Sequence, residues 1–210
     1  EVPAGEEVFH EQVLHHRIGD APAQDGVVWS GEGRPIQENR NVYTSSDDQW
    51  TFLTTSLDWA KNDLYVRPVA STGAFKPVAV GLDGTSQADA FQGRLYLLTN
   101  VDAPRYRIVA ADPGAPEPAN WKVVIPEQSG VIRGFQLVAG KLAITVEEKA
   151  VSRVRVYSLA GKFENEVELP ALGAVSDLTG TPDGKELYFT FTSFAIPPTV
   201  YAYSVAGAEL

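Results

Sequence analysis

The sequence predicts an all-β protein built from one repeated unit, and three observations support this prediction. Tight turns recur at intervals of 44, 47 and 44 residues, at Asp48-Gln49, Gln92-Gly93, Ala139-Gly140 and Asp183-Gly184. Each turn is followed by two runs that are rich in β-branched and aromatic residues. No stretch of about ten residues carries the apolar stripe of a helix. A β-unit that repeats every 40 to 50 residues or so is typical of a β-propeller blade.

Taken in order, the units predict about four and a half four-stranded blades, with strands lettered A to D from the axis outward. The predicted units are residues 1–33, 40–81, 85–126, 130–170 and 173–205. The first unit offers only two outer strands, at residues 8–18 and 27–29. The last unit lacks its strand D.

Within each full unit, the turn separates strand A from strand B, and a polar loop separates B from C. The predicted A strands are residues 40–45, 86–91, 131–138 and 174–179. The predicted B strands are residues 50–56, 94–99, 142–146 and 186–192. The predicted C strands are residues 63–69, 106–111, 154–159 and 199–205. The D strands are shorter, at residues 77–80, 121–125 and 164–169.

Composition excludes several classes of function. The 210 residues are 44% hydrophobic and 21% charged, which suits an ordinary folded protein. The net charge of −10 argues against a nucleic-acid or membrane partner. The absence of cysteine excludes disulfides and thiolate metal sites, and it leaves cytoplasm and periplasm equally open. We also expect no metal and no cofactor.

The incomplete first and last units predict an open arc with two unpartnered ends. The apolar residues expected to lack a neighbour are Val27, Val28 and Trp29 at one end and Val200, Tyr201 and Tyr203 at the other. Exposed strand edges and apolar faces invite pairing with another chain, so self-association through these edges is expected. The alternatives are an unusually small closed ring or a part of a larger propeller.

Several segments together resemble the propeller domain of the prolyl oligopeptidases, serine peptidases that cleave short peptides after proline. The most specific are LTNVDAP at residues 98–104, WKVVIPE at residues 121–127 and FTSFAIPPTVY at residues 191–201. The resemblance covers nearly the whole chain. It implies a seven-bladed propeller inserted in an α/β-hydrolase chain, with the middle to late blades present here. The early blades and the catalytic domain would then lie outside these 210 residues.

The chain itself lacks the nucleophile that such a peptidase needs. An α/β-hydrolase presents its serine in a Gly-x-Ser-x-Gly elbow. Ser86 comes nearest, with Gly84 before it, but Ala88 stands at the second position after it. We therefore expect no catalytic residue in this chain and no peptide hydrolysis by the chain alone. The alternative is a stand-alone propeller that binds a protein or a small ligand without catalysis.

The loops between strands B and C carry the candidate site residues. In a four-stranded blade these loops leave on the same face as the D–A connections. The candidates are Asp58, Trp59, Asp102, Arg105 and Phe194. The resemblance implies that this face meets the peptidase domain of the parent chain, with short proline-containing peptides bound between them and the loop of Trp59 near the substrate. Packing of each side chain against a neighbouring blade is the equal alternative.

Overall fold

The computed structural model describes residues 2–7 and 9–210, so Val8, the predicted start of the first strand, lies outside the described residues. Strands make up 49% of the chain and helices 3%, which confirms the prediction of an all-β fold. The described strands form five antiparallel sheets, here numbered I to V in chain order. Three of the five have four strands, sheet V has three and sheet I has two.

The strands follow one another in each sheet in chain order. Sheet I contains β1 (Val13–His15) and β2 (Gly26–Trp29). Sheet II contains β3 (Asn39–Thr44), β4 (Trp50–Ser56), β5 (Asp63–Pro68) and β6 (Lys76–Ala79). Sheet III contains β7 (Ser86–Phe91), β8 (Arg94–Thr99), β9 (Arg107–Ala111) and β10 (Lys122–Ile125).

Sheet IV contains β11 (Val131–Val138), β12 (Lys141–Glu148), β13 (Val151–Ser158) and β14 (Phe163–Glu166). Sheet V contains β15 (Ala174–Thr179), β16 (Glu186–Thr192) and β17 (Thr199–Ser204). Two short 3₁₀ turns, Pro22–Gln24 and Pro118–Asn120, lie in the connections of sheets I and III.

Left-handed backbone conformations close the tightest hairpins. Both residues of Gln92-Gly93 and of Ala139-Gly140 have positive φ, between 51° and 71°. Lys149-Ala150, which joins β12 to β13, also has positive φ at both positions. A two-residue turn of this kind matches the right-handed twist of its flanking strands. These turns therefore fix the register of the strands that they join.

The sheets stack face to face, and each interior interface is a separate apolar cluster. Phe52 and Leu64 of sheet II pack in one cluster with Leu97 of sheet III. Tyr96, next to Leu97 on β8, points the other way and packs in a cluster with Ile144 of sheet IV. Successive residues of a strand face opposite sides of the sheet, so sheet III is buried on both faces.

A third apolar cluster joins sheets IV and V. It shows that the expectation of unpartnered side chains at this end is wrong for the two tyrosines of β17. Tyr203 is buried there, and Tyr201 packs against the same cluster, so neither faces outward. Val200 and Tyr188 lie on the outer side of sheet V and are 70% and 40% exposed. Val200 and Tyr201 are neighbours on one strand and therefore cannot share a face.

At the other end, Trp29 also has neighbours, contrary to expectation. Its ring lies 5.1 Å from the ring of Tyr65 and 6.3 Å from that of Phe75. Val27, by contrast, is more than half exposed. Sheet I therefore packs on sheet II through Trp29 and leaves part of its own apolar surface open.

One end of the stack collects the loops that join the second and third strands of each sheet. These loops span residues 57–62, 100–106, 149–150 and 193–198. They lie beside the connections between sheets, because Ser86 N donates to Asn62 Oδ1 over 2.7 Å and Ile132 N donates to Arg105 O over 3.0 Å. We call this end the loop face.

Candidate functional site

The loop face carries a cleft of about 570 Å³ that runs across sheets II, III and IV. We call it the loop-face cleft. Six of the residues that line it are Tyr43, Ser56, Asp58, Trp59, Tyr106 and Arg133. Tyr43 and Arg133 belong to the first strands, β3 and β11, whereas Asp58 and Trp59 belong to the loop after β4. The cleft therefore lies where the inner strands meet the loops.

Two hydrogen-bonded tyrosines line the cleft. The hydroxyl of Tyr43 accepts from Ala88 N and donates to Ala88 O, each over 3.2 Å, and so ties sheet II to sheet III. Burial raises the pKa of Tyr43 to about 12, so this phenol stays protonated at neutral pH. The hydroxyl of Tyr106 lies 3.0 Å from that of Thr85.

Residues 57–62 form the lip of the cleft, and we call them the Trp59 loop. Asp58 Oδ1 accepts from Ala60 N over 2.8 Å and from Lys61 N over 3.2 Å, which closes a turn around Trp59. Lys61 Nζ lies 2.8 Å from Asp83 Oδ1, and this ion pair raises the pKa of Lys61 and lowers the pKa of Asp83. The indole of Trp59 is fully exposed.

The other three predicted site residues do not line this cleft. Arg105 is held by its neighbours: its backbone N–H donates to Glu127 Oε1 over 2.7 Å, and its side-chain Nη1 donates to Ser129 O over 3.1 Å. It thus joins the loop of sheet III to the connection that leads to sheet IV. Asp102 is exposed, with φ of 52°. Phe194 is fully exposed on the loop of sheet V.

The structure therefore brings Asp58 and Trp59 together at one cleft and leaves Asp102, Arg105 and Phe194 elsewhere on the loop face. A role in binding stays a prediction for all five residues. Sequence reasoning missed Tyr43 and Arg133 because it considered loops alone. It missed Tyr106 because it placed that residue at the start of a third strand, whereas the structure places it in the loop before β9. The available signal was the position of Tyr43 and Arg133 on first strands, which lie nearest the axis of a propeller.

An ionic network lies on sheet IV, outside the set of residues that line the cleft. Arg155 donates to Glu148 over 3.0 Å and to Glu166 over 2.9 Å, and Arg153 donates to Glu166 over 2.8 Å. The hydroxyl of Ser129 donates to Glu148 over 2.7 Å and, with Arg155, lowers the pKa of Glu148. Burial opposes ionisation of Glu166, but the two arginines outweigh it and lower its pKa.

Within the described residues, 2–7 and 9–210, no cluster of three or more His, Asp or Glu side chains is arranged to hold a metal ion. The same residues contain no helix long and apolar enough to cross a membrane. What the loop face offers is a polar cleft with an exposed aromatic lip. A cleft of this kind has the shape and polarity to bind and orient a small ligand.

Stacked antiparallel sheets with this repeat define a β-propeller domain. The model of the prolyl oligopeptidase N-terminal β-propeller domain matches residues 2–210. The chain belongs to this family.

Among curated relatives, the chain is 29% identical over 195 residues to the prolyl endopeptidase of Elizabethkingia meningoseptica, covering 92% of this chain and 27% of that protein. It is 24% identical over 223 residues to the prolyl endopeptidase of Dictyostelium discoideum, covering 96% of this chain and 29% of that protein. The chain thus spans little more than a quarter of the length of these relatives.

Solved structures give the same result for the fold. A chain from a structural and mechanistic analysis of two prolyl endopeptidases superimposes with a TM-score of 0.87 at 32% identity, covering 94% of this chain and 29% of that one. Prolyl oligopeptidase B from Galerina marginata superimposes with a TM-score of 0.82 at 18% identity, covering 94% of this chain and 29% of that one. The second likeness concerns the fold alone.

Proposed function

We propose that this chain is the propeller part of a proline-specific serine peptidase and that its loop face covers the active site. In this role the propeller admits short peptides, excludes large folded proteins and contributes part of the substrate pocket. The observation that carries the proposal is the loop-face cleft with Trp59 at its lip, in a chain of this family. The relatives that are named prolyl endopeptidases support the assignment.

The dimensions and chemistry of the cleft suit a peptide. A volume of about 570 Å³ lies in the range of small-ligand sites and is far too small for a folded protein. An exposed indole offers a flat apolar surface on which a pyrrolidine ring can pack. Asp58, Ser56 and Tyr106 supply hydrogen-bonding groups for a peptide backbone. Aromatic residues of this kind often dominate the free energy of binding at an interface.

The peptidase domain of the parent chain is the partner that this proposal requires. The 210 residues contain no Gly-x-Ser-x-Gly, so the nucleophile has to come from elsewhere. The coding sequence around this chain should therefore encode such an elbow in the same reading frame. An intact gene without one would refute the proposal and favour a stand-alone binding propeller.

A kinetic comparison in the full-length protein tests the role of the cleft. Trp59→Ala should lower kcat/KM for a fluorogenic peptide with proline at P1 by about thirtyfold, because one aromatic hot spot contributes about 2 kcal/mol or more. Phe163→Ala is the control, because Phe163 is a half-exposed aromatic on β14 outside the cleft. Equal rates for Trp59→Ala and Phe163→Ala would contradict a substrate role for the Trp59 loop.

The open edge of sheet V also supports self-association of the 210-residue chain. Strand β17 pairs with β16 on one side, and on its other side the described residues provide a single bridge, Ser204 to Glu209. Val200 and Tyr188 leave apolar surface beside this edge. A second copy could pair along β17 and cover that surface. Light scattering at about 100 μM should detect a dimer, and a strict monomer would count against self-association.

A further inference from the structure

We propose that Arg34 is the positioning residue of the Trp59 loop. Its guanidinium group joins the two strand ends from which the loop rises and so sets where Trp59 stands at the lip of the cleft. We call Arg34 and its bonds to these strand ends the clamp. The role of the clamp in substrate binding rests on the proposed function, in which Trp59 meets the substrate. Its structural content depends only on contacts within this chain.

The contacts of Arg34 reach both sides of the loop. Thr55 on β4 and Asp63 on β5 face each other in the ladder at the base of the loop. Arg34 Nη2 donates to Thr55 Oγ1 over 3.0 Å and to Asp63 Oδ2 over 2.9 Å. One guanidinium nitrogen thus bridges the two strands that enter and leave the Trp59 loop. The Asp63 carboxylate also accepts from Gly81 N over 2.8 Å and so joins the clamp to the connection after β6.

Arg34 is itself held by groups that fix its orientation. Its Nε donates to both carboxylate oxygens of Glu38, over 2.7 and 2.9 Å, and Glu38 is almost fully buried. Glu38 is also paired with Arg40, whose Nη2 lies 3.1 Å from Oε2. Arg34 Nη1 donates to the hydroxyl of Tyr65 over 3.1 Å. The hydrogen bond to Glu38 raises the pKa of Arg34, so the clamp stays charged.

The Trp59 loop has open space on both sides and needs such a clamp. The loop-face cleft lies on one side, and a second cavity of about 360 Å³ lies on the other. Asp58 and Lys61 line both cavities, so the loop is the wall between them. Leu57 and Trp59 are exposed and add little packing. The loop's own support is the Asp58 turn, the surface ion pair of Lys61 with Asp83 and, at its far end, the bonds of Asn62 to sheet III.

Planar guanidinium geometry is what allows one side chain to serve Glu38, Thr55 and Asp63 together. Lysine would keep the charge but has a single ammonium group that cannot hold these directions at once. Arg34→Lys should therefore loosen the loop without removing the positive charge. Thr55→Val keeps the shape of the side chain and removes only the hydroxyl that accepts from Arg34.

Amide hydrogen exchange and fluorine NMR of the 210-residue chain test the clamp. Arg34→Lys should speed exchange at the amides of Ala60, Lys61 and Asn62 by about tenfold relative to the control. Arg67→Lys is the control, because Arg67 lies at the other end of β5 and packs over Phe75 at 4.6 Å. In chain labelled with 5-fluorotryptophan, the resonance of Trp59, assigned with Trp59→Phe, should shift in Arg34→Lys and stay in place in Arg67→Lys.

Thr55→Val should change the same three amides in the same direction by a smaller factor. It decides the matter if Arg34→Lys fails to fold. Exchange at residues 60–62 that is the same in Thr55→Val as in wild type, or the same in Arg34→Lys as in Arg67→Lys, would overturn the proposal. Neither measurement uses substrate, so such a result leaves the peptidase assignment standing. Conversely, if Trp59→Ala leaves kcat/KM unchanged in the kinetic assay, the clamp stands as a structural feature but has no role in substrate binding.

Discussion

Leu97 and Leu57 show at the residue scale that position, more than residue type, decides what a side chain contributes. Leu97 is fully buried between sheets II and III, whereas Leu57 is more than half exposed in the Trp59 loop. Leu97→Ala should lower the free energy of unfolding by about 2–5 kcal/mol, because it removes transfer free energy and leaves a cavity. Leu57→Ala should change it by less than about 0.5 kcal/mol. Urea denaturation of both variants measures the difference.

Alanine substitutions at two glycines distinguish the energetic cost of backbone strain from that of steric overlap. Gly140 has φ of 67° with open space where a methyl group would lie, so Gly140→Ala should cost about 1 kcal/mol of conformational strain. Gly161 has φ of 83°, and a Cβ there would overlap the carbonyl oxygen of Val124. Gly161→Ala should therefore cost about 3 kcal/mol or more. Thermal denaturation that ranks the two variants equally would contradict this account.

Individual site residues mark how far the sequence could predict the site. Asp58 and Trp59 could be predicted, because a loop after a strand end can be located from the repeat alone, and both residues line the cleft. Arg105 donates to Glu127 and Ser129 instead, since a charge on a loop gives no sign of which partner the fold will bring near. The prediction of an open face for Tyr203 is wrong, because alternation along β17 puts its side chain on the side of sheet IV.

At the scale of elements, inner strands are easier to predict than outer ones. Strands β7, β8 and β15 have the bounds that the sequence predicts. Strand β14 covers Phe163–Glu166, earlier in the chain than the predicted residues 164–169. Outer strands are short and carry fewer buried residues, so their pattern is weaker. A register shift between Val156 and Tyr157 also moves the pairing of β14, and nothing in the sequence signals it.

The ionic network of sheet IV should make the free energy of unfolding depend on pH in the acid range. The pKa values of Glu148 and Glu166 are lowered below the ordinary 4.5, so the unfolded chain takes up protons first as the pH falls. Their contribution is complete above the unfolded pKa and is lost as the pH falls through the folded values. The double variant Glu148→Gln/Glu166→Gln should thus be less stable than wild type near pH 6, and this difference should shrink toward pH 3.

Urea midpoints measured between about pH 6 and pH 3 report this difference. Glu117→Gln is the control, because Glu117 is exposed on the connection between β9 and β10 of sheet III, not on sheet IV. A difference between wild type and the double variant that stays constant with pH would mean that the network does not titrate as described.

At the scale of the whole molecule, the chain should bind but not cleave. The purified 210 residues should leave a fluorogenic peptide with proline at P1 intact, because they contain no elbow serine. Fluorescence release over hours is the measurement, with an intact prolyl endopeptidase as the positive control. Turnover that a serine-directed phosphonate abolishes would contradict the assignment of catalysis to a separate domain.

The central claim is that the loop face, and not the opposite end of the stack, is turned toward the peptidase domain. Hydrogen exchange tests this claim most directly. Deuterium uptake of the isolated chain is compared with uptake of the same residues within the full-length protein. We expect slower exchange in the full-length protein at residues 57–62, 100–106 and 193–198 on the loop face, and unchanged exchange at the turns 45–49 and 92–93 at the opposite end. Protection of those turns instead, with the loops unchanged, would contradict the account.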